Sequence, residues 1–448
     1  MEENKIQTKE IEDILKSRNV SEIRELFDTH NIVDLAELVG ELDIRDAVFV
    51  FKILSKRKAS DLFTYLEQEK QEKLVEIMTS SEITNIMEDV YSDDIADFLD
   101  ELPSDLAKKI LAAVPAERRH EINTLLSYKD NSCGSIMSTD YVELPLSLTV
   151  EEAMEEVRKQ RTVAESISFG YIIASDKLVG VIPLRSLLLS PDHAKLEDVM
   201  DAKPVRVRTN DDREEAIEAM KNYDLTMIPV VDEEDDLVGV ITADDVVDVI
   251  EQEATEDIHK MNAIVPVQTG YLETSAFKLA LSCLPWLLVL MFYDAISENV
   301  INSNDTIVAA FPILSAFIPM LMGTAGNAGS QASSMVIRGI IVDKMDIKSI
   351  GTVVWKELRV ALLCGLILFV VNFGKIMLFS SGATPAIAFI ASITLFLVVV
   401  LGKLIGGCLP LLAEAIHLDP AVMASPLVTS ICDLISLTVY FALARALL

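Results

Sequence analysis

The chain has 448 residues, more than one ordinary core accommodates at roughly 100 to 200 residues per domain. It carries 70 acidic against 38 basic residues, a formal charge of -32, while 51% of it is apolar. The charge is segregated: residues 263–448 hold 10 acids and 9 bases, so residues 1–262 hold 60 and 29, which excludes nucleic acid as partner and makes cations the natural counterpart of the first half.

The N-terminus is polar and acidic, with no apolar run of about 7 to 15 residues, so no cleavable signal peptide is expected and the first half is expected in the cytoplasm. The five cysteines, Cys133, Cys283, Cys364, Cys408 and Cys432, show no Cys-x-x-Cys spacing and read as reduced, packed thiols. Over residues 1–130, Leu42, Leu54, Leu66, Met78, Val90, Leu102, Val114 and Leu126 recur every twelve residues. A second row at Val39, Phe51, Phe63, Val75, Met87, Leu99 and Leu111 keeps the same beat. Rows three apart predict one shared helix face, and Asp43, Ser55, Ser92, Pro103 and Pro115 mark new helices. The expectation is a right-handed superhelix of short helices, each burying what it cannot bury alone. Asp93 and Asp97 stand at i and i+4, either as acids favoured by a helix dipole or as part of a cation site shared with the next domain.

Residues 131–198 and 199–255 are an internal duplication. Leu178-Val179-Gly180-Val181-Ile182 recurs as Leu237-Val238-Gly239-Val240-Ile241, and Ser135-Ile136-Met137 answers Asp198-Val199-Met200. Each copy reads as a short strand, a helix, a strand pair and a helix. The pattern resembles a tandem pair of α/β CBS domains, which implies an adenine nucleotide held by a hydroxyl and an Asp three residues later. Thr242 and Asp245 satisfy that spacing in the second copy, whereas the first has Pro183 and Ser186. An acidic connecting helix is expected over 244–274, with Asp245, Asp248 and Gln252 on one face and Glu253, Glu256 and Asp257 on another. Carboxylates so crowded repel unless cations bridge them.

Residues 275–448 hold five apolar stretches, Ala276–Ile296, Ile307–Ile340, Ala361–Phe379, Pro385–Ala413 and Ala421–Leu447, each long enough to span a core about 30 Å thick. Arg338, Lys344, Lys348, Lys356 and Arg359 between the second and third place that connection in the cytoplasm, and an odd number of spans puts the C-terminus outside. Asp433, inside the last span, is the strongest functional signal, since an intramembrane charge costs about 2.5 to 3.5 kcal/mol on the mildest scale. Thr429 and Ser425 share its helix face, and Pro426 removes a backbone donor and frees a carbonyl, an oxygen set suited to Mg2+ with its water shell. In the second span, Gly323, Gly326 and Gly329 allow close approach, while Thr324, Asn327 and Gln331 are expected to hydrogen-bond across it; a packing seam and a pore wall both remain open.

Taken together, Gly323-Thr324-Ala325-Gly326-Asn327-Ala328-Gly329-Ser330-Gln331, Glu253-Ala254-Thr255-Glu256-Asp257-Ile258-His259-Lys260 and Asp419-Pro420-Ala421 followed by Ser425-Pro426-Leu427 resemble the MgtE-type magnesium channels and transporters. The resemblance implies an all-α superhelical N-terminal domain, tandem CBS domains and a transmembrane domain of five helices. It further implies a homodimer in the lipid membrane, a pore lined by the second and fifth spans, and Asp433 at the pore's ion site. Asp93, Asp97, Gly134, Asp212, Glu214, Asp224, Asp245, Glu253, Glu256 and Asp257 become, by the same resemblance, ligands of regulatory Mg2+ that closes the pore. Ser425 departs from the Asn common there, which leaves a less selective Mn2+ or Co2+ transporter open, beside a magnesium receptor that transports nothing. An enzyme is not expected: His120-Glu121 lacks the second His of a zinc protease, and no phosphate-binding Gly-x-x-x-x-Gly-Lys motif occurs.

Overall fold

The computed structural model describes residues 14–448 apart from residues 16, 101, 161–163, 165, 268, 269, 273, 381 and 424. Contacts divide it between Ile250 and Glu251 into two units. In the first, the twelve-residue beat is the spacing of helix starts: α1 (Val20–Thr29), α2 (Ile32–Glu41), α3 (Ile44–Ile53), α4 (Lys56–Thr64), α5 (Gln68–Ile77), α6 (Ser80–Met87), α7 (Ser92–Asp100), α8 (Ser104–Ala113) and α9 (Ala116–Leu125). Asn19, Asn31 and Asp43 cap the first three by accepting from the backbone N–H two residues on, and Thr79 with Glu82 closes α6 reciprocally. One expectation changes here. Leu42, Met78 and Val114 do not share a helix face with the second row; each follows the last helical turn with extended backbone and enters the core from the connection. Burying one such side chain contributes ~1.5 to 3 kcal/mol.

Basic side chains lock the array. Lys58 donates to Phe27 O, Lys70 to Leu42 O, Lys109 to Val75 O and Met78 O, and Arg118 to Met87 O and Val90 O. Each reaches the carbonyl end of the helix three positions earlier, the negative end of its dipole.

The duplication folds as two matching sheets. β1 (Glu143–Pro145) pairs parallel with β2 (Phe169–Ala174), which pairs antiparallel with β3 (Lys177–Pro183); β4 (Val207–Arg208), β5 (Met227–Val231) and β6 (Leu237–Thr242) repeat the order. Helices α10 (Val150–Gln160), α11 (Leu184–Leu189), α12 (Leu196–Val199) and α13 (Arg213–Tyr223) complete them. The repeated Gly and Met have one explanation. A Cβ on Gly180 would lie 2.4 Å from Met200 Sδ, and one on Gly239 would lie 2.7 Å from Met137 Sδ. Each Met therefore docks on the glycine of the other copy.

Helix α14 (Ala243–Met261) carries the chain into the second unit and stops short of the expected 274, because Ala263 takes φ +56 and the described residues from there to Ser275 are not helical. The apolar stretches fold as α15 (Ala276–Asn302), α16 (Asp305–Ala310), α17 (Ile318–Asp343), α18 (Ile350–Phe379), α19 (Pro385–Ala415) and α20 (Ser425–Leu447). The second stretch is thus broken, by a tight turn over Pro312–Phe317. The third starts eleven residues earlier than expected and takes Lys356, Glu357 and Arg359 into its helix. Among the described residues, four runs, Ala276–Asn302, Ile347–Phe379, Pro385–Ala415 and Pro420–Leu447, are long and apolar enough to cross a membrane. The 26-residue α17 has the length, about 39 Å at 1.5 Å per residue, but is diluted by Gly, Ser, Thr, Asn and Gln.

Candidate functional site

Helix α17 packs against both α19 and α20. Small residues make this possible. A Cβ on Gly406 would lie 2.0 Å from Gly329 O and one on Gly402 2.7 Å from Ala325 O, so the α17 and α19 backbones touch directly. On its other flank, Gly326 abuts Thr429 and Gly329 abuts Val428 and Cys432 of α20. Along this second seam the hydroxyls of Ser330, Ser425 and Thr429 converge: Ser330 Oγ is 3.1 Å from Ser425 Oγ and 3.3 Å from Thr429 Oγ1. Ser333 donates to Met423 O at 2.8 Å.

These bonds correct the expectation for the second span. Thr324 donates to Met320 O of its own helix, and the contacts across the seam come from Ser330 and Ser333 instead. Gly323, Asn327 and Gln331 form an exposed stripe at i, i+4 and i+8. Pro426 is also corrected: α20 begins at Ser425, so the proline lies in the first turn, where its missing N–H would have no helical partner and no carbonyl is freed. Ser330 was legible only as a member of the Gly-rich run.

Ser425, Thr429 and Asp433 are all half-buried on successive turns of α20. Asp433 Oδ1 is buried and accepts no hydrogen bond from the described residues. A carboxylate oxygen left so costs ~1 to 3 kcal/mol or more, which a hard cation with its water shell would relieve. Asp294 acts electrostatically on Asp433. Asp294 lies on α15, which runs to Asn302.

The acidic residues of the first unit fall into separate groups. Asp93 and Asp97 both lie on α7, yet the carboxyl with the clearest electrostatic signature is their neighbour Asp94, which sequence reasoning passed over. Although the residue is exposed at the surface, enough protein surrounds its carboxyl to push its pKa up to about 6, with Asp245, Asp244 and Asp140 adding repulsion. Asp245 and Asp140 are themselves raised, first by burial; Asp244 and Asp248 add to the former, and Glu121 to the latter against Arg118. Elsewhere, Asp212 caps α13 by accepting from Glu214 N, and its backbone bridges to Ser132 beside buried Gly134, whose N–H donates to Thr209 O. Asp224 stands at the opposite end of α13, in the left-handed conformation of its C-cap.

In the second unit Glu253, Glu256, Asp257 and Lys260 lie half-buried on one face of α14. Lys260 Nζ bridges Glu256 at 2.6 Å and Asp419 at 2.7 Å. Burial raises the Asp257 carboxyl, Asp419 adds to the shift, and Lys260 opposes it. Among the described residues, no three His, Cys, Asp or Glu side chains converge closely enough to hold a metal by themselves. At the nucleotide spacing, Thr242 Oγ1 donates to Asp245 Oδ2 at 2.5 Å, so the two residues implied for a ribose and phosphate are held together at the start of α14.

Comparison with known proteins agrees with this layout. A profile described as divalent cation transporter matches residues 318–443, one described as MgtE intracellular N domain matches 30–131, and CBS domain profiles match 133–191 and 196–252. The magnesium transporter MgtE of Thermus thermophilus is 35% identical over 74% of this chain and 73% of its own length. That of Bacillus subtilis is 32% identical over 75% and 74%. The crystal structure of the soluble part of a magnesium transporter matches at a TM-score of 0.53 and 31% identity, over 56% of this chain and 99% of that one. The cytosolic domain of the Mg2+ channel MgtE in complex with ATP matches at 0.51 and 31%, over 54% and 99%.

Proposed function

Because the chain belongs to the MgtE family of divalent cation transporters, we propose that it conducts Mg2+ across the cell membrane and that cytoplasmic Mg2+ closes it. Asp433 carries this reading: a buried carboxylate oxygen without a hydrogen-bond partner, on a helix face with Thr429 and Ser425, is a place where a hydrated divalent cation pauses. Gly323, Asn327 and Gln331, the exposed stripe of α17, form the facing wall. One Asp433 supplies one negative charge against two on Mg2+, which supports a homodimer in which two copies meet across the path. Lys344 and Lys348 between α17 and α18 support a cytoplasmic position for that connection, cytoplasmic N-terminal domains and an external C-terminus.

For regulation, the residues present fit Mg2+ at two places. Asp140, Asp244 and Asp245 each repel Asp94, and a cation among them, with Asp93 and Asp97 on the same helix as Asp94, would remove that repulsion. Glu256 and Asp419 already share the ammonium of Lys260 beside Asp257, and a divalent ion displacing that ammonium would hold the same carboxylates together and draw in Glu253. Asp212, Glu214, Asp224 and Gly134 remain candidate ligands around α13. Thr242 and Asp245 would hold an adenine nucleotide, as the ATP complex of a relative supports.

The test is Mg2+ uptake into liposomes by the full chain and by Asp433→Asn. The variant is expected to stay folded and to lose uptake at least about tenfold, since the attraction of the divalent ion is gone. Equal uptake by the two would remove Asp433 from the path. No uptake by the unaltered chain would favour a receptor, and competition by Mn2+, Co2+ and Ca2+ ranks the ions.

A further inference from the structure

A glutamate and a lysine that conduction at Asp433 does not use face each other inside the second unit. Glu357 lies on α18 and Lys403 near the middle of α19; their side chains are 8% and 7% exposed, and Lys403 Nζ is 4.0 Å from Glu357 Oε2. Glu357 Oε2 is buried and accepts no hydrogen bond from the described residues. The helices approach here because position 407 is glycine: a Cβ there would lie 3.1 Å from Glu357 Cγ and 3.4 Å from Val353 Cγ1. Lys403 is also the immediate neighbour of Gly402, whose own contact is the Ala325 carbonyl of α17. Its backbone is thus one residue along α19 from the seam with the helix proposed as a wall of the ion path, while its ammonium faces Glu357.

A buried ion pair is a poor device for stability, because desolvating both groups cancels most of their attraction and apolar replacements are often as stable. Its electrostatic effect on a neighbour is another matter. In a low-dielectric interior an uncompensated ammonium repels a divalent cation twice as strongly as a monovalent one, and little solvent screens it. We propose that Glu357 compensates the charge of Lys403, so that α19 presents no net positive charge to Mg2+ moving along α17 and α20. This rests on the path proposed above. Glu357 is a positioning residue for charge rather than a ligand.

The experiment is Mg2+ uptake into liposomes by the full chain, with equal amounts of inserted protein and thermal midpoints measured in detergent. Glu357→Gln is expected to lower uptake roughly tenfold or more, leaving Lys403 bare. The Glu357→Gln, Lys403→Gln double variant is expected to return within about twofold of the original rate, which loss of a merely structural bridge would not allow. Lys403→Gln alone, which leaves no ammonium on α19 at this point, is expected to keep full uptake, so the inference stays exposed even if Glu357→Gln does not fold. Unchanged uptake by folded Glu357→Gln, a double variant as slow as the single one, or a tenfold loss in folded Lys403→Gln would each overturn it. Failure of the path itself is seen separately, as normal uptake by Asp433→Asn.

Discussion

Replacing Asp94 by Asn should stabilise the protein at neutral pH and do nothing in acid. The carboxyl moves from its ordinary 3.8 to about 6 on folding. A pKa raised in the folded state means that folding favours the protonated form: the stabilisation is complete below about pH 4 and is lost as pH rises through 6. Two units at ~1.4 kcal/mol each set an upper bound of about 3 kcal/mol, and solvent screening at this exposed residue reduces the expected gain to ~1 kcal/mol. For a unit of this size that is about 2 to 4 °C in thermal midpoint. Calorimetry of the full chain in detergent should show the first unit of Asp94→Asn melting higher than the original at pH 7.5, by a margin that shrinks as pH falls through 6 and vanishes below about pH 4. Millimolar Mg2+ at pH 7.5 should raise the original more than the variant. An Asn variant that melts lower at pH 7.5, or a difference independent of pH, would refute the electrostatic account of this cluster.

Gly406→Ala should be costly, because its methyl would lie 2.0 Å from the Gly329 carbonyl of a neighbouring backbone. Forcing α17 and α19 apart is expected to cost ~1 to 3 kcal/mol, read as a lower melting midpoint, with Mg2+ uptake falling as the wall shifts. Lys260→Met removes the ammonium shared by Glu256 and Asp419. At zero Mg2+ the residues after Met261 should become more susceptible to protease. Relief from the competing ammonium should lower the Mg2+ concentration needed for protection by roughly fivefold, the equivalent of ~1 kcal/mol for such a pair. A midpoint unchanged or raised would contradict competition.

What the sequence disclosed was whatever repeats or stands alone. The twelve-residue beat was legible because helices α1 to α9 start at intervals of twelve residues, although periodicity could not tell a core residue on a helix from one in the turn after it, as Leu42 and Met78 illustrate. The duplicated Leu-Val-Gly-Val-Ile was legible too, yet its glycines had no reason until Met200 and Met137 were seen against them. Asp433 announced itself by being a charge in an apolar run. Lys403 stands equally alone in the fourth apolar stretch but without a visible partner, Glu357 lies among the charges before the third, and only tertiary contact reveals them as a pair. Asn327 and Gln331 drew attention because amides are conspicuous among glycines, whereas the short hydroxyl of Ser330 makes the bond across the seam. Asp94 was passed over for Asp93 and Asp97 because helical spacing ranks acids by mutual distance on one helix and is blind to Asp140 and Asp245 arriving from elsewhere.

The basic side chains that reach back three helices, Lys58, Lys70, Lys109 and Arg118, bear on how such a chain can change in length. Inserting a single residue inside a helix of the array would rotate the residues after it by about 100° and carry a lysine or arginine there away from its carbonyl. Whole units of twelve can be gained or lost with every such bond re-formed one step along. Variation in length among descendants of this sequence should therefore come in steps of twelve, or collect outside the array.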